Sequence, residues 1–483
     1  MFPPASPARL DGVKRVLAGL FLLGLSAAGM YGYTLSERER SYRQQITDGD
    51  AALGRDNTFA AIEAFSGAIT LKPDAMLGYL KRGEAYRRRG EFSAAIRDLR
   101  HASELDPTAT RPLEELGDAY LADTPHRYPS AIDRYEQYVR LDNRAPRILY
   151  KLAFARYSQG QTNEAIEALQ RAIALDARFA EAYYLLGLCQ RDAQRPDAAR
   201  KALEQAILLQ PTLFHAREEL ADLDGAIGRT GERLTQLAAL AALDPGASRD
   251  VALGLAYARA GQTDRAVTTL AQASERYPDH AYAYVALGRV WLEIAQARGD
   301  RAALRKALGA LEGAVGSDDS SEALTLFGRA LLLTSDEEAA ERMLLDATQR
   351  KPVDPLAFAY LADAAERLQH FTVARQALLD YGALRGDIDA RRRTVETIRL
   401  GDLSMKMNDP SAAAVYFLRA ADGANATLLA RAADAQFHAG DVDAARGTIA
   451  RALALDPTDT VALTVQRQIA KAAGRASVVS KTF

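Results

Sequence analysis

Apolar positions in this chain recur at spacings of three and four residues, break at a short polar turn, resume at the same spacing, and stop at a proline. Residues 180–211 show the unit complete. Tyr183, Leu186, Gly187 and Gln190 fall on one face of a first predicted helix. Arg195-Pro196-Asp197 interrupts it, with the proline placed where a second helix would begin. Ala198, Ala199, Leu203, Ala206 and Ile207 then form the predicted buried stripe of that second helix. Pro211 ends it, because proline lacks the amide donor and its ring clashes with the preceding turn.

The unit recurs. Pro73, Pro107, Pro211 and Pro245 close segments of one kind, on a period of about 34 residues. Gly83-Tyr86-Gly90-Ala95-Leu99-Ala102-Pro107 is a full copy, and Gly254-Tyr257-Gly261-Ala266-Leu270-Ala273-Pro278 another. Gly288-Trp291 opens one more copy, and Gly160-Ala165-Leu169-Ala172 closes another. A fixed period in this range means stacked units that bury their apolar faces against neighbours. Small residues such as Gly187 and Ala199 mark where helices must approach closely, since a bulky side chain there would force them apart.

These residues resemble the tetratricopeptide repeat: a large apolar or aromatic residue, Leu-Gly, then Tyr in the first helix, with Ala, a large apolar residue, Ala and Pro in the second. About 12 copies begin near Tyr42, Met76, Thr110, Pro146, Ala180, Phe214, Ala247, Ala281, Ser321, Pro355, Thr394 and Ala426. The resemblance covers residues 42–458 and implies an all-α fold, a right-handed α-solenoid of helix-turn-helix repeats. Four departures stand out. Arg233 occupies a position where a small alanine is expected, which predicts looser packing or a shifted second helix. Extra residues lie around 125–129, at Gln296–Ala303 and at Gly386–Arg393, where loops or helix extensions are expected. Residues 459–474 read as a capping helix, its amphipathic part at Val461–Ala472 with Arg467 and Lys471 outward, and 475–483 as a disordered tail.

Ahead of the repeats, after a short tail (1–15), the residues from Val16 to Leu35 carry no formal charge, over 20 positions. As a helix this run is about 30 Å long, the thickness of a bilayer's hydrocarbon core, which predicts an N-terminal transmembrane helix at 16–35. Tyr31 and Tyr33 suit the far interface. A cleaved leader competes, with Arg9, Lys14 and Arg15 as its basic start and Ser26-Ala27-Ala28 as a small-residue cleavage site. The run continues past that site to Leu35, longer than a leader's apolar core, which favours an uncleaved anchor. Arg9, Lys14 and Arg15 before the span balance Arg38, Arg40 and Arg43 after it. Orientation therefore rests on the short basic tail staying inside, which puts the repeats on the periplasmic side of a bacterial inner membrane.

Composition removes function classes. The 61 basic and 63 acidic residues give a net charge of −2, without the basic excess a nucleic-acid binder needs. Cys189 is the single cysteine, which excludes an intrachain disulfide and a thiolate metal cluster. The six histidines (His101, His126, His215, His280, His370, His438) are scattered and form no His-Glu-x-x-His pair. Phosphate-binding loops and serine-nucleophile elbows are missing from the sequence. Asp318-Asp319 reads as a solvated loop that caps the next helix rather than a cation site. No catalytic residue, metal or cofactor is expected, and the chain reads as a non-enzyme.

The resemblance also implies where partners dock: the concave wall lined by the first helix of each pair. There the early units offer Asp50, Glu84 and Asp118, an acidic strip with Arg87 among it. Units four and five offer Tyr150, Phe154, Tyr157, Tyr184 and Leu188, and acid returns at Asp363, Asp402 and Asp434. Aromatics facing a groove mark a binding surface. The competing reading is that they pack between neighbouring units. The expected partners are proteins, held near a membrane by the N-terminal helix, with glycan as an alternative because exposed aromatics also stack on sugars. Membrane-tethered relatives serve bacterial envelope, secretion and polysaccharide-export assemblies, so a scaffold role of that kind is the implied function.

Overall fold

The computed structural model describes residues 7–123, 127–317, 319–385 and 390–479. Side chains are described for the same residues except 7–16, 18, 19, 22, 24, 27, 28, 390, 392 and 473–479. Among them every regular element is a helix. The chain divides into two compact units, Met1–Gln236 and Leu237–Phe483.

Unit 1 begins with a long helix α1 (Pro7–Gly54), whose last part pairs with α2 (Thr58–Leu71). Helical pairs follow as α3 (Met76–Arg88) with α4 (Phe92–Leu105), α5 (Thr110–Asp123) with α6 (Tyr128–Leu141), and α7 (Pro146–Ser158) with α8 (Thr162–Leu175). After α9 (Ala180–Asp192) with α10 (Pro196–Leu209) come α11 (Phe214–Ala226) and α12 (Thr230–Leu243), and the unit boundary falls inside α12. Unit 2 continues with α13 (Ala247–Arg259), α14 (Thr263–Arg276), α15 (Ala281–Arg298), α16 (Arg301–Val315), α17 (Ser321–Leu333) and α18 (Glu337–Gln349). It ends with α19 (Pro355–Arg367), α20 (Phe371–Leu384), α21 (Ala390–Lys406), α22 (Pro410–Ala421), α23 (Ala426–His438), α24 (Val442–Leu455) and α25 (Thr460–Val479).

The pairing follows from one steric match repeated along the chain. A Cβ placed on Gly187 of α9 would lie 2.7 Å from Leu203 Cγ and 3.4 Å from the Ala199 carbonyl oxygen, so only glycine lets α10 seat its leucine there. Gly83 meets Leu99, Gly254 meets Leu270 and Gly328 meets Leu344 in the same way, and the larger Phe65, Tyr135 and Phe417 fill the space over Gly49, Gly117 and Gly401. These second-helix side chains are among the fully buried ones. Each first helix other than α5, whose end borders residues outside the described set, is closed by a residue in the left-handed region. At Gly90 (φ 79°) the Glu91 amide donates back to the Tyr86 carbonyl at 2.9 Å, a Schellman closure that reverses the chain into the second helix.

Nine of the expected unit starts, those at 76, 110, 146, 180, 214, 247, 281, 321 and 355, coincide with first residues of helices, as does Ala426. Thr394 does not, because α21 already begins at Ala390 and takes part of the extra sequence as an added turn. The insertion at Gln296–Ala303 lengthens α15 to Arg298 and ends it at Gly299 (φ 63°). Within 125–129, Tyr128 and Pro129 open α6, and residues 125 and 126 lie outside the described set, as do Asp318 and 386–389. Ala198 is exposed rather than buried; Ala202 takes its place in the α10 stripe. α25 buries Ala462, Val465 and Ile469, exposes Arg467 and Lys471, and runs to Val479, past the expected helix end.

α12 is the exception. It buries Leu240 alone, where α10 buries five residues. Arg233 fits because Gly225 of α11 makes room: a Cβ there would meet the guanidinium at 2.9 Å. The buried Arg233 Nε has no hydrogen-bond partner. Among the described residues, no helix is long and apolar enough to cross a membrane, so the transmembrane helix expected at 16–35 is not shown. That run lies within α1, and the side chains of 16, 18, 19, 22, 24, 27 and 28 in it are outside the described set.

Candidate partner-binding face

Within each unit, the first helices of successive pairs lie side by side and are joined by charged side chains one repeat apart. In unit 1, Lys81 Nζ of α3 sits 2.8 Å from Asp50 of α1, and Arg111 Nε of α5 donates to Glu84 at 2.9 Å. Arg87 Nε donates to Glu115 at 2.9 Å, and Lys151 of α7 donates to both Glu114 (2.8 Å) and Asp118 (2.7 Å). In unit 2, Arg399 of α21 bonds Asp363 and Glu366 of α19 at 2.7 and 2.8 Å, and Arg431 of α23 pairs with Asp402 of α21.

The acidic strip expected at Asp50, Glu84 and Asp118 is therefore not a free anionic surface. Each carboxylate is matched by a cation from the next repeat. Glu84 is itself buried, and burial pushes its pKa up despite Arg111 and Lys81. Asp118 also accepts a 2.6 Å hydrogen bond from the buried Tyr135 hydroxyl, whose pKa is raised by burial and by that carboxylate. Position-by-position reading within one repeat missed Lys81, Arg111 and Lys151. The available signal was opposite charge at a separation of about one repeat.

The ion-pair ladder changes character at α7. The register of Asp50, Glu84 and Asp118 passes next to Phe154 and Leu188, so that rung is apolar. Phe154 is 43 % exposed. Tyr150 is half-buried and packs on Phe179 with ring centroids 5.2 Å apart. Tyr184 and Leu188 are half-buried as well, in contact with neighbouring apolar clusters. Tyr157 donates to Asp192 of α9 at 2.7 Å; burial and that bond push its phenol up to about 12. Both expected roles are thus mixed in this group. Tyr150 and Tyr157 tie α7 to the next pair, Tyr184 keeps part of its surface open, and Phe154 has the largest open share. In unit 2 the corresponding face holds a cavity of 610 Å³ lined by Tyr282, Arg289, Leu326, Arg329 and Leu356, which the sequence reading did not single out.

Among the described residues no group of three His, Cys, Asp or Glu side chains could hold a metal ion. Cys189 is buried, and burial pushes its thiol up to about 12, away from thiolate chemistry.

Family models described as tetratricopeptide repeat match residues 47–110, 80–146, 180–213, 251–280 and 398–460, and one described as TPR repeat matches 155–190. The chain belongs to the tetratricopeptide-repeat family. A curated relative, small glutamine-rich tetratricopeptide repeat-containing protein 2 of Mycosarcoma maydis, is 30 % identical over 108 residues, which is 22 % of this chain. The match spans 30 % of that relative's length. Among solved structures, the crystal structure of MamA is 30 % identical, covering 32 % of this chain and 89 % of that one, with a TM-score of 0.31. The crystal structure of YrrB, a TPR protein with an unusual peptide-binding site, is 22 % identical, covering 38 % and 94 %, with a TM-score of 0.35. Family membership accounts for the repeated glycine–leucine match and the first-helix face. The composition of that face belongs to this chain.

Proposed function

We propose that this TPR chain is a membrane-anchored, non-catalytic scaffold that captures a protein partner on its first-helix face, as a part of a bacterial envelope, secretion or polysaccharide-export assembly. The supporting observation is the break in the ladder: charged rungs at Asp50, Glu84 and Asp118 give way to the open Phe154 with Tyr184 and Leu188 beside it. An aromatic anchor ringed by internally neutralised charge is the composition of a binding hot spot, because the partner need not displace strong ion pairs to reach it. The anchor reading rests on the uncharged run Val16–Leu35 within α1 and on the exposure of Leu20, Phe21, Leu23 and Met30 there. On this reading the repeats stand on the periplasmic side.

A second reading, a glycan-binding or substrate-presenting subunit of an export machine, is supported by the same open aromatics, which can stack on sugar rings. Panels of extended peptides and of oligosaccharides, titrated against the purified chain and its Phe154→Ala variant, separate the two. Peptide binding that weakens in the variant supports the scaffold reading. Glycan binding alone supports the second, and no Phe154-dependent binding of either sort refutes both.

A further inference from the structure

The junction between α1 and the first helical pair carries no linker. α1 is one helix from Pro7 to Gly54, so the uncharged run and the first repeat helix share a single rod. The rod is clasped to α2 where it leaves the repeats. Arg38 Nε donates to the Leu71 carbonyl oxygen at the end of α2, and Lys72 Nζ bonds Glu39. Arg43 holds the same Glu39 carboxylate at 2.8 Å, and the Lys72 ammonium lies 5.0 Å from the centre of the Tyr42 ring. One turn above the clasp, Tyr33 donates to Glu37 at 3.1 Å. Leu35, the last apolar residue of the uncharged run, stands four residues before Glu39, about 6 Å along a helix.

From this geometry we infer that the edge of the first helical pair carrying Lys72, Pro73 and Asp74 is held rigidly against the headgroups of a lipid bilayer. The inference rests on the anchor reading proposed above and adds orientation to it. The opposite edge of the same pair, at Arg55, is separated from it by the length of α2, about 21 Å. A continuous helix with a side-chain clasp transmits its direction; a flexible linker would not. Side chains at the clasp fit this setting. Arg40, 3.8 Å from Glu37, is 83 % exposed, and Arg43 stays 78 % exposed while it holds Glu39, so each guanidinium keeps an outward side toward anionic headgroups.

The test uses the full chain in vesicles of phosphatidylcholine and phosphatidylglycerol. Cys189 is buried, so a surface cysteine introduced by Asp74→Cys or Arg55→Cys takes a fluorophore selectively. Energy transfer to headgroup-labelled lipid is then compared at the two sites. The expected result is stronger transfer from residue 74 than from residue 55. That difference is lost when a glycine-rich insert separates Ser36 from Glu37, and reduced in Lys72→Ala. A chain that floats with the vesicles but gives equal transfer from both sites overturns the rigid edge while leaving the anchor standing. A difference that survives the insert also overturns it. A chain that does not float at all overturns the anchor and the inference together.

Discussion

The match between Gly187 and Leu203 makes a quantitative prediction. In Gly187→Ala the new Cβ would sit 2.7 Å from Leu203 Cγ and Cδ2, closer than van der Waals contact allows, with the Ala199 carbonyl oxygen limiting escape. Overpacking of this kind costs about 1–3 kcal/mol. Replacing a mid-helix glycine by alanine returns about 1 kcal/mol of helix propensity. The net expectation in the wild-type background is a loss of up to about 2 kcal/mol. Leu203→Ala alone removes a side chain that is 1 % exposed and should cost about 2–5 kcal/mol. In the Leu203→Ala background the clash is gone, so Gly187→Ala should stabilise, and the cycle should give a coupling of about 1–3 kcal/mol. A repeat array need not unfold in one step, so the readout is amide hydrogen exchange of α9 and α10 in the intact protein. A coupling near zero, or Gly187→Ala equally harmful in both backgrounds, would refute the steric account of the repeat.

Three further outcomes follow from local contacts. Tyr135→Phe removes a 2.6 Å bond to Asp118 from a fully buried ring and should lower protection of α5 and α6 by about 1–3 kcal/mol in exchange measurements. Burial alone would raise the Glu366 carboxyl, but hydrogen bonds from Lys406 and Arg399 hold it below its ordinary 4.5. Its contribution should be full above that value and vanish as pH falls through the depressed one, so wild type and Glu366→Gln should differ in denaturant midpoint at neutral pH and converge in acid. Cys189 should resist thiol reagents at about pH 8 in the folded chain and react once denaturant opens α9.

Much of the fold was legible because each repeat writes its own boundaries. Gly187, Leu203 and Pro211 carry steric and hydrogen-bonding requirements that hold wherever they recur, and the helix starts follow from them. Ala198 was misplaced because alanine is small enough to sit on either side of a stripe, and helical phase alone could not separate it from Ala202. Arg233 was legible as a departure, but its accommodation was not: Gly225 lies on the preceding helix, and its role exists only once α11 and α12 meet. The binding face was the least legible part. Whether Asp50, Glu84 and Asp118 form an open acidic strip depends on Lys81, Arg111 and Lys151, which belong to the next repeat and reach back across a packed helix pair. Tyr150 and Tyr184 divide their surfaces between packing and solvent, a partition that sequence periodicity does not encode.

The claim that the open aromatic patch is where a partner docks is tested most directly by quantitative comparison of proteins co-purified from detergent-solubilised membranes with the wild-type chain and with Phe154→Ser/Tyr184→Ser, after circular dichroism has shown equal helicity. The account predicts that a discrete partner set falls by about ten-fold or more, the effect of losing one or two anchors worth 1–2 kcal/mol each. An unchanged partner set at wild-type levels would contradict it.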